Sequence, residues 1–226
     1  MLYDILSLEG GVYIMIVEKI ICDTNFSYLH PYFYNNEFAL RCELGIGDNE
    51  KEYMENAEKR AFEIYHILFP NGADAIFFNY WDYDYLCDGD ANSTIIPNIL
   101  EEKQQLTLLK ECFKKYRHKV VKNLETYDAP EDDTYNLIKR HRIICYADKK
   151  AFNYKKYILA QINGKGQDIS FVSFDNECIF SIYDDRGCDI VLLTKERFRH
   201  YYDLVKPYFL DFDMEEMNNR YNNTNV

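Results

Sequence analysis

The feature that most constrains the fold is a set of three short β-rich runs near the C-terminus. They are Ile169–Phe174, Cys178–Tyr183 and Cys188–Leu193. Asp175-Asn176-Glu177 separates the first two runs, and Asp184-Asp185-Arg186-Gly187 separates the last two. Because Asp, Asn and Gly form turns between segments of high strand propensity, the pattern predicts an antiparallel meander. Residues 178–193 should form a hairpin in which Gly187 adopts a positive φ.

Upstream, strand-like and helix-like patterns alternate. Phe38–Leu44 alternates apolar and polar residues, which predicts a half-buried strand ended by Gly45. Residues 50–69 place apolar side chains at helical spacing, and Asn49 with Glu52 has the pattern of a capping box. Ala75–Trp81 should form the next strand, followed by an acidic loop over residues 82–98.

The remaining segments predict helices and strands in mixed order. We expect helices over about residues 99–117, 149–163 and 194–206, strands over 120–127 and 142–146, and a short helix from Asp213. The predicted fold class is α+β, with a mixed or antiparallel sheet, a C-terminal three-strand meander, and helices packed mainly on one face. We divide the chain into residues 1–30, an N-terminal extension or first helix or strand; 31–221, one α+β domain; and 222–226, a disordered tail. Met15 is an alternative start to Met1.

The charge distribution along the chain indicates which kinds of partner the protein could bind. The net charge is −12, and residues 1–100 carry 17 acidic and 5 basic residues, whereas residues 101–226 carry 21 of each. An acidic half repels phosphate backbones, so we expect no nucleic-acid binding. It suits a basic protein partner, although solubility alone also explains it. The longest apolar run near the N-terminus, Val12–Val17, is too short to span a bilayer, so we expect no membrane association.

The seven cysteines occur singly, with no C-x-x-C pair. This spacing disfavours a disulfide framework and a tetrahedral zinc site, and scattered thiols are typical of a reducing compartment such as the cytoplasm. No histidine pair, G-x-S-x-G or phosphate-binding glycine loop is present, so we assign no catalytic residue, no metal and no cofactor. A Cys188 nucleophile with His200 as its base remains an alternative.

The turn residues resemble a known signature. The stretch Tyr183-Asp184-Asp185-Arg186-Gly187-Cys188-Asp189 resembles that of a bacterial family known as domain of unknown function 3885. The resemblance covers about residues 31–221 and extends to four further stretches, which are Phe33–Asn35, Leu40–Gly45, Glu58–Ala61 and Leu210–Asp213. Cys42 stands where Phe is expected, and residues 82–98 are longer than usual. The resemblance implies a shared fold without implying a reaction.

The same seven residues are the candidate binding or structural motif, with two interpretations. The three carboxylates of Asp184, Asp185 and Asp189 could hold a divalent cation beside Arg186. Alternatively, they bond to their own turn, which is what Asp residues in short loops most often do. We therefore expect a non-catalytic protein-binding module of the immunity or accessory type. The alternative is a hydrolase or metal-dependent enzyme that uses the Asp184, Asp185 and Asp189 cluster.

Overall fold

The computed structural model describes residues 26–27, 31–85, 111, 114, 117–128, 135–146, 149, 152–164 and 169–224. These residues contain a seven-stranded sheet in the order β1-β7-β6-β5-β2-β4-β3, in which every neighbouring pair is antiparallel. The strands are β1 (Ala39–Glu43), β2 (Ala75–Tyr85), β3 (Arg117–Asp128), β4 (Tyr135–Tyr146), β5 (Ile169–Ser173), β6 (Cys178–Asp184) and β7 (Gly187–Leu192). The α+β class is therefore confirmed.

Five α-helices are described with the sheet: α1 (Tyr32–Asn35), α2 (Glu50–Leu68), α3 (Tyr154–Ile162), α4 (Lys195–Val205) and α5 (Met214–Asn223). The main-chain N–H of Glu52 donates to Asn49 Oδ1 at 3.0 Å, so Asn49 caps α2 as its sequence pattern predicted. Thr194 caps α4 by accepting from the N–H of Arg197 at 3.4 Å. Two 3₁₀ turns, Lys206–Tyr208 and Asp211–Asp213, connect α4 to α5.

Helices α2, α3 and α4 pack against one face of the sheet. The ring of Tyr65 in α2 lies 5.3 Å from that of Phe171 in β5. Phe198 in α4 lies 5.9 Å from Phe38, just before β1. Because side chains alternate between the faces of a sheet, these contacts place the main aromatic core on a single side. No helix in the described part of the chain is long and apolar enough to cross a membrane.

The other face is covered at the β1 end of the sheet. Helix α1 lies over β7, where the N–H of Phe33 donates to the side chain of Asp189. The outer edge of β1 is covered by the C-terminal segment, since Leu210 donates its N–H to the carbonyl of Arg41 at 3.1 Å. The Sδ of Met217 accepts from the N–H of Arg41 at 3.3 Å. The exposed backbone of an edge strand is thereby satisfied within the chain.

Several boundaries differ from the sequence prediction. Strand β2 continues to Tyr85, so Asp82 and Asp84 belong to a strand rather than to an acidic loop. The strand continues because it pairs with β4 along its whole length, whereas β5 pairs only with Ala75–Phe78. Helix α3 begins at Tyr154 rather than at residue 149, and α5 continues through residues 222 and 223 of the predicted tail.

Some predicted segments lie outside the described residues. These are residues 1–25 and 28–30, most of the predicted loop over residues 82–98, and most of the predicted helix over residues 99–117. The meander, in contrast, is fully described. Strands β5, β6 and β7 are consecutive antiparallel neighbours, and Asp184 pairs with Gly187 across the two-residue turn formed by Asp185 and Arg186. The predicted hairpin is therefore confirmed.

Candidate functional site

A buried ion pair joins β1 to β7. The Nε of Arg41 donates to Asp189 Oδ1 at 2.8 Å, and its Nη2 donates to Oδ2 at 3.1 Å. Arg41 is 8% exposed and Asp189 is 2% exposed. A bidentate arrangement of this kind is among the strongest hydrogen-bonded pairings available to side chains. Asp189 is therefore held by the fold, which is the structural role that burial predicts for it.

The strand register brings these two side chains together. Arg41 and Asp189 are directly opposite residues of an antiparallel pair. The N–H and carbonyl of Arg41 point outward, to Met217 and Leu210, so this position is a non-hydrogen-bonded pair. Opposite side chains approach most closely at such positions. A charge pair placed there stabilises the register as well as the strand contact.

Aromatic rings surround the guanidinium of Arg41. Its Cζ lies 4.6 Å from the ring centroid of Tyr34, 5.0 Å from that of Phe33 and 5.5 Å from that of Tyr183. Burial by itself lowers the pKa of Arg41, but the hydrogen bond and charge of Asp189 raise it overall. The guanidinium therefore stays charged and is shielded from water. Cation–π contacts are strongest in such a desolvated environment.

Asp213 brings the C-terminal segment into the same cluster. Its Oδ2 lies 3.6 Å from Arg41 Nη1, and its Oδ1 accepts a hydrogen bond from the hydroxyl of Tyr34 at 3.0 Å. The N–H of Phe33 donates to Asp189 Oδ2 at 3.1 Å. We name Tyr34, Arg41, Asp189 and Asp213 the Arg41 cluster. It connects α1, β1, β7 and the segment before α5.

The turn between β6 and β7 is closed by its own side chains. Asp184 Oδ1 accepts from the N–H of Arg186 at 2.8 Å, and Oδ2 accepts from Arg186 Nε at 2.8 Å. The carboxylate of Asp184 is thus bound within its turn, as one of the two interpretations of the motif requires. Asp184 and Asp189 therefore have separate partners. Among the described residues, no group of three or more His, Cys, Asp or Glu could hold a metal ion.

The predicted positive φ of Gly187 is wrong. In the described chain the glycines with positive φ are Gly47, Gly72 and Gly164. Gly187 is required for space instead, because a Cβ there would lie 2.1 Å from Tyr183 Oη and 2.6 Å from the carbonyl oxygen of Cys42. The Tyr183 ring consequently folds back over the start of β7.

A second tyrosine lies against a second glycine nearby. A Cβ on Gly45 would lie 2.0 Å from Cζ of Tyr53, so that ring covers the chain just after β1. Burial raises the pKa of Tyr53, and the neighbouring carboxylates of Asp185 and Asp184 raise it further. Gly187 is opposite Glu43, the last residue of β1, and Gly45 follows Glu43 by two residues, so both rings lie near the end of this strand.

Between these rings is an open cleft of about 690 Å³, which we name the tyrosine cleft. Among the described residues, its lining comprises Pro31, Arg41, Glu43, Gly45, Tyr53, Tyr183, Arg186, Asp189 and Leu210. The volume falls in the range of roughly 300–1,000 Å³ that is usual for ligand sites. Three of the seven motif residues, Tyr183, Arg186 and Asp189, therefore face one cavity.

Cys188 lies away from this cavity. It is buried opposite Cys42, with which it shares a hydrogen bond. Burial raises the pKa of Cys188 well above its usual value, whereas a nucleophilic cysteine needs a lowered one. His200 is exposed on α4 and its ring lies 4.8 Å from that of Tyr201. The structure thus does not bring Cys188 and His200 together as a nucleophile and its base.

Among the charged and aromatic residues of the site, the sequence prediction missed Tyr34, Arg41, Glu43, Tyr53 and Asp213. The alternating pattern of β1 predicted that Arg41 and Glu43 would lie on its solvent side. Instead, the residues of β1 from Ala39 to Cys42 are buried on both faces. An arginine within a short apolar strand is a sequence signal for a buried charge. The sequence does not identify its partner, because Asp189 lies 148 residues away.

The five stretches on which the resemblance rests meet around this site. Arg41, Asp189, Tyr34 and Asp213 come from four of them, and the Nε of Arg60, from the fifth, donates to the carbonyl of Glu43 at 2.8 Å. No curated protein and no solved structure matches the sequence. The family described as Domain of unknown function (DUF3885) matches residues 20–213. That match spans most of the chain, which therefore belongs to this family.

Proposed function

We propose that the protein is a non-catalytic binding module that receives part of another protein at the tyrosine cleft. The observation that carries this proposal is the exposure of aromatic side chains beside a cleft in which Arg41, Asp189 and Arg186 are already hydrogen-bonded. Tyr34 is 52% exposed and Tyr183 is 41% exposed, and both rings contact Arg41. Phe212, next to Asp213 of the Arg41 cluster, is 86% exposed.

Exposed aromatic residues on a rigid support have the properties of binding hot spots. Tyrosine and arginine are enriched at protein interfaces because they bury a large area at a low cost in conformational entropy. Here the support is the Arg41 cluster, which connects four parts of the fold through buried hydrogen bonds. The cleft would therefore need little rearrangement when a partner binds.

The acidic character of the chain supports a basic partner. Its net charge is −12, and complementary charge accelerates encounter and selects among partners. An immunity or accessory factor that acts by covering a basic protein fits this description. The alternative, an enzyme using Asp184, Asp185 and Asp189, lacks a comparable supporting observation, because two of these carboxylates are bound to Arg186 and Arg41.

Site-specific photo-crosslinking in the native host tests the proposal. A photoreactive phenylalanine replaces Tyr183 or Phe212, and Leu204 is the control because it is 46% exposed on α4, across the sheet. We expect one partner to be linked from residues 183 and 212 but not from 204. With purified components, Tyr183→Ala should weaken binding of that partner by about tenfold or more. Equal linking at all three positions, or unchanged affinity, would refute the proposal.

A further inference from the structure

The side chain of Glu43 differs from the other charged groups of the tyrosine cleft. It is half-buried and lines the cavity, yet its carboxylate has no ion pair or hydrogen bond with any residue that the structure describes. The nearby guanidinium of Arg60 donates to the main-chain carbonyl of Glu43, and its Nη2 donates to the carbonyl of Tyr208. Within the described part of the chain, the carboxylate of Glu43 therefore faces the cavity without a partner.

Of the described residues that line the cleft, two are arginines, and both already have carboxylate partners. Arg41 is bound by Asp189, with Asp213 at 3.6 Å from its Nη1. Arg186 is bound by Asp184. With these pairs formed, neither Arg41 nor Arg186 pairs with Glu43, and the nearby guanidinium of Arg60 donates to main-chain carbonyls instead of the Glu43 carboxylate. A half-buried carboxylate loses hydration, and an opposite charge restores the lost stabilisation.

Two aromatic rings line the cavity together with Glu43. The residue opposite Glu43 on β7 is Gly187, and the absence of a side chain there admits the ring of Tyr183. Two residues beyond Glu43, Gly45 admits the ring of Tyr53 in the same way. Tyrosine rings attract cations through their π-electrons, and they pack against the apolar stems of arginine and lysine.

We propose that the tyrosine cleft takes a cationic side chain, an arginine or a lysine of a partner protein, whose charge pairs with Glu43 between Tyr53 and Tyr183. This inference rests on the proposed function and specifies what the partner inserts. An anionic ligand fits poorly, because Glu43 would repel it and both lining arginines are already paired. The overall charge of −12 favours the same choice of partner.

A pair of short peptides tests the inference on the full chain and does not require the partner to be identified. The probe is acetyl-Gly-Arg-Gly-amide, and its control contains citrulline, which has nearly the shape of arginine but no charge. Binding is followed by NMR chemical shifts. We expect the arginine peptide to shift the signals of residues 43, 53 and 183, to bind more weakly as salt is added, and to bind more tightly than the citrulline peptide.

Matched variants locate the site. Glu43→Gln keeps the shape of the side chain and should weaken the arginine peptide by about tenfold, the scale of a charged hydrogen bond. Glu196→Gln, an exposed change of the same type on α4, should leave binding unchanged. Equal binding of both peptides, no binding of either, or an unchanged affinity in Glu43→Gln would overturn the inference. The crosslinking result is independent, so a partner linked from residue 183 would keep the proposed function even then.

Discussion

Arg41 and Asp189 lie opposite each other on β1 and β7, with Arg41 Nε 2.8 Å from Asp189 Oδ1. Through this pair, the edge strand of the sheet is joined to the hairpin of β6 and β7. The same carboxylate accepts the N–H of Phe33, so α1 depends on the pair as well. The candidate site is therefore built on an interaction that also holds the fold together.

Asp189→Asn should destabilise the protein strongly, because it leaves the guanidinium of Arg41 buried without its main counter-charge. Breaking a buried pair by removing one partner costs roughly 3–5 kcal/mol. Urea denaturation measures the loss. The control is Glu55→Gln, which removes an exposed pair with Lys51 and should cost about 0.5 kcal/mol or less. A similar cost for both variants would show that the Arg41 pair contributes no more than a surface pair.

Replacing Gly187 or Gly45 with alanine should destabilise the protein, but to different extents. At residue 187 the new Cβ meets the carbonyl oxygen of Cys42 as well as Tyr183, and backbone cannot move aside. We expect a loss of about 1–3 kcal/mol for Gly187→Ala, typical of overpacking. At residue 45 the Cβ meets only the ring of Tyr53, which can rotate, so the loss should be smaller.

Thermal unfolding of both variants checks this order, and the double variant Gly45→Ala with Tyr53→Ala provides a further control. Removing the Tyr53 ring removes the clash, so Gly45→Ala should cost little in that background. A larger loss for Gly45→Ala than for Gly187→Ala would contradict the close approach of Cys42 to Gly187.

Stability should fall at alkaline pH. Burial raises the pKa of Tyr65 and Tyr183, and it raises the pKa of Tyr201 to about 12. In the unfolded chain these hydroxyls ionise near pH 10. Their stabilising contribution is therefore complete below pH 10 and is lost as the pH rises from 10 towards the pKa values of the folded state, because only the unfolded state releases the protons.

Urea denaturation between pH 8 and 11.5, with tyrosinate absorbance recorded on the folded protein, measures this effect. We expect a constant free energy of unfolding up to about pH 9.5 and a decline above pH 10. Tyr201→Phe should reduce the slope of the decline. A free energy of unfolding that rises above pH 10 would contradict the burial of these hydroxyls.

Asn49→Ala should weaken the start of α2 by about 1 kcal/mol, since the side chain of Asn49 caps the N–H of Glu52. Asn49→Gly should cost only a few tenths of a kcal/mol, because glycine leaves that N–H open to water. Chemical denaturation of the two variants gives the comparison. Equal losses would indicate that the cap does not contribute through its hydrogen bond.

Local patterns in the sequence were sufficient for the α+β class, the hairpin over residues 178–193, and the cap at Asn49. These features depend on residues that are close together in the chain. Turn-forming residues and hydrophobic periodicity therefore predict them directly. The turn within the seven-residue motif could be predicted for the same reason. Its turn is closed by contacts between Asp184 and Arg186, two positions apart.

The tertiary structure alone decided what the motif faces. Arg41, Glu43 and Asp213 join Asp189 through strand register and chain crossings, and no local pattern encodes a partner 148 residues away. The role of Gly187 was also decided at this level, because the need for space arises from Tyr183 and Cys42 and not from its own φ. The sequence by itself determined the hairpin, whereas packing of distant segments determined that the hairpin forms one wall of a cleft.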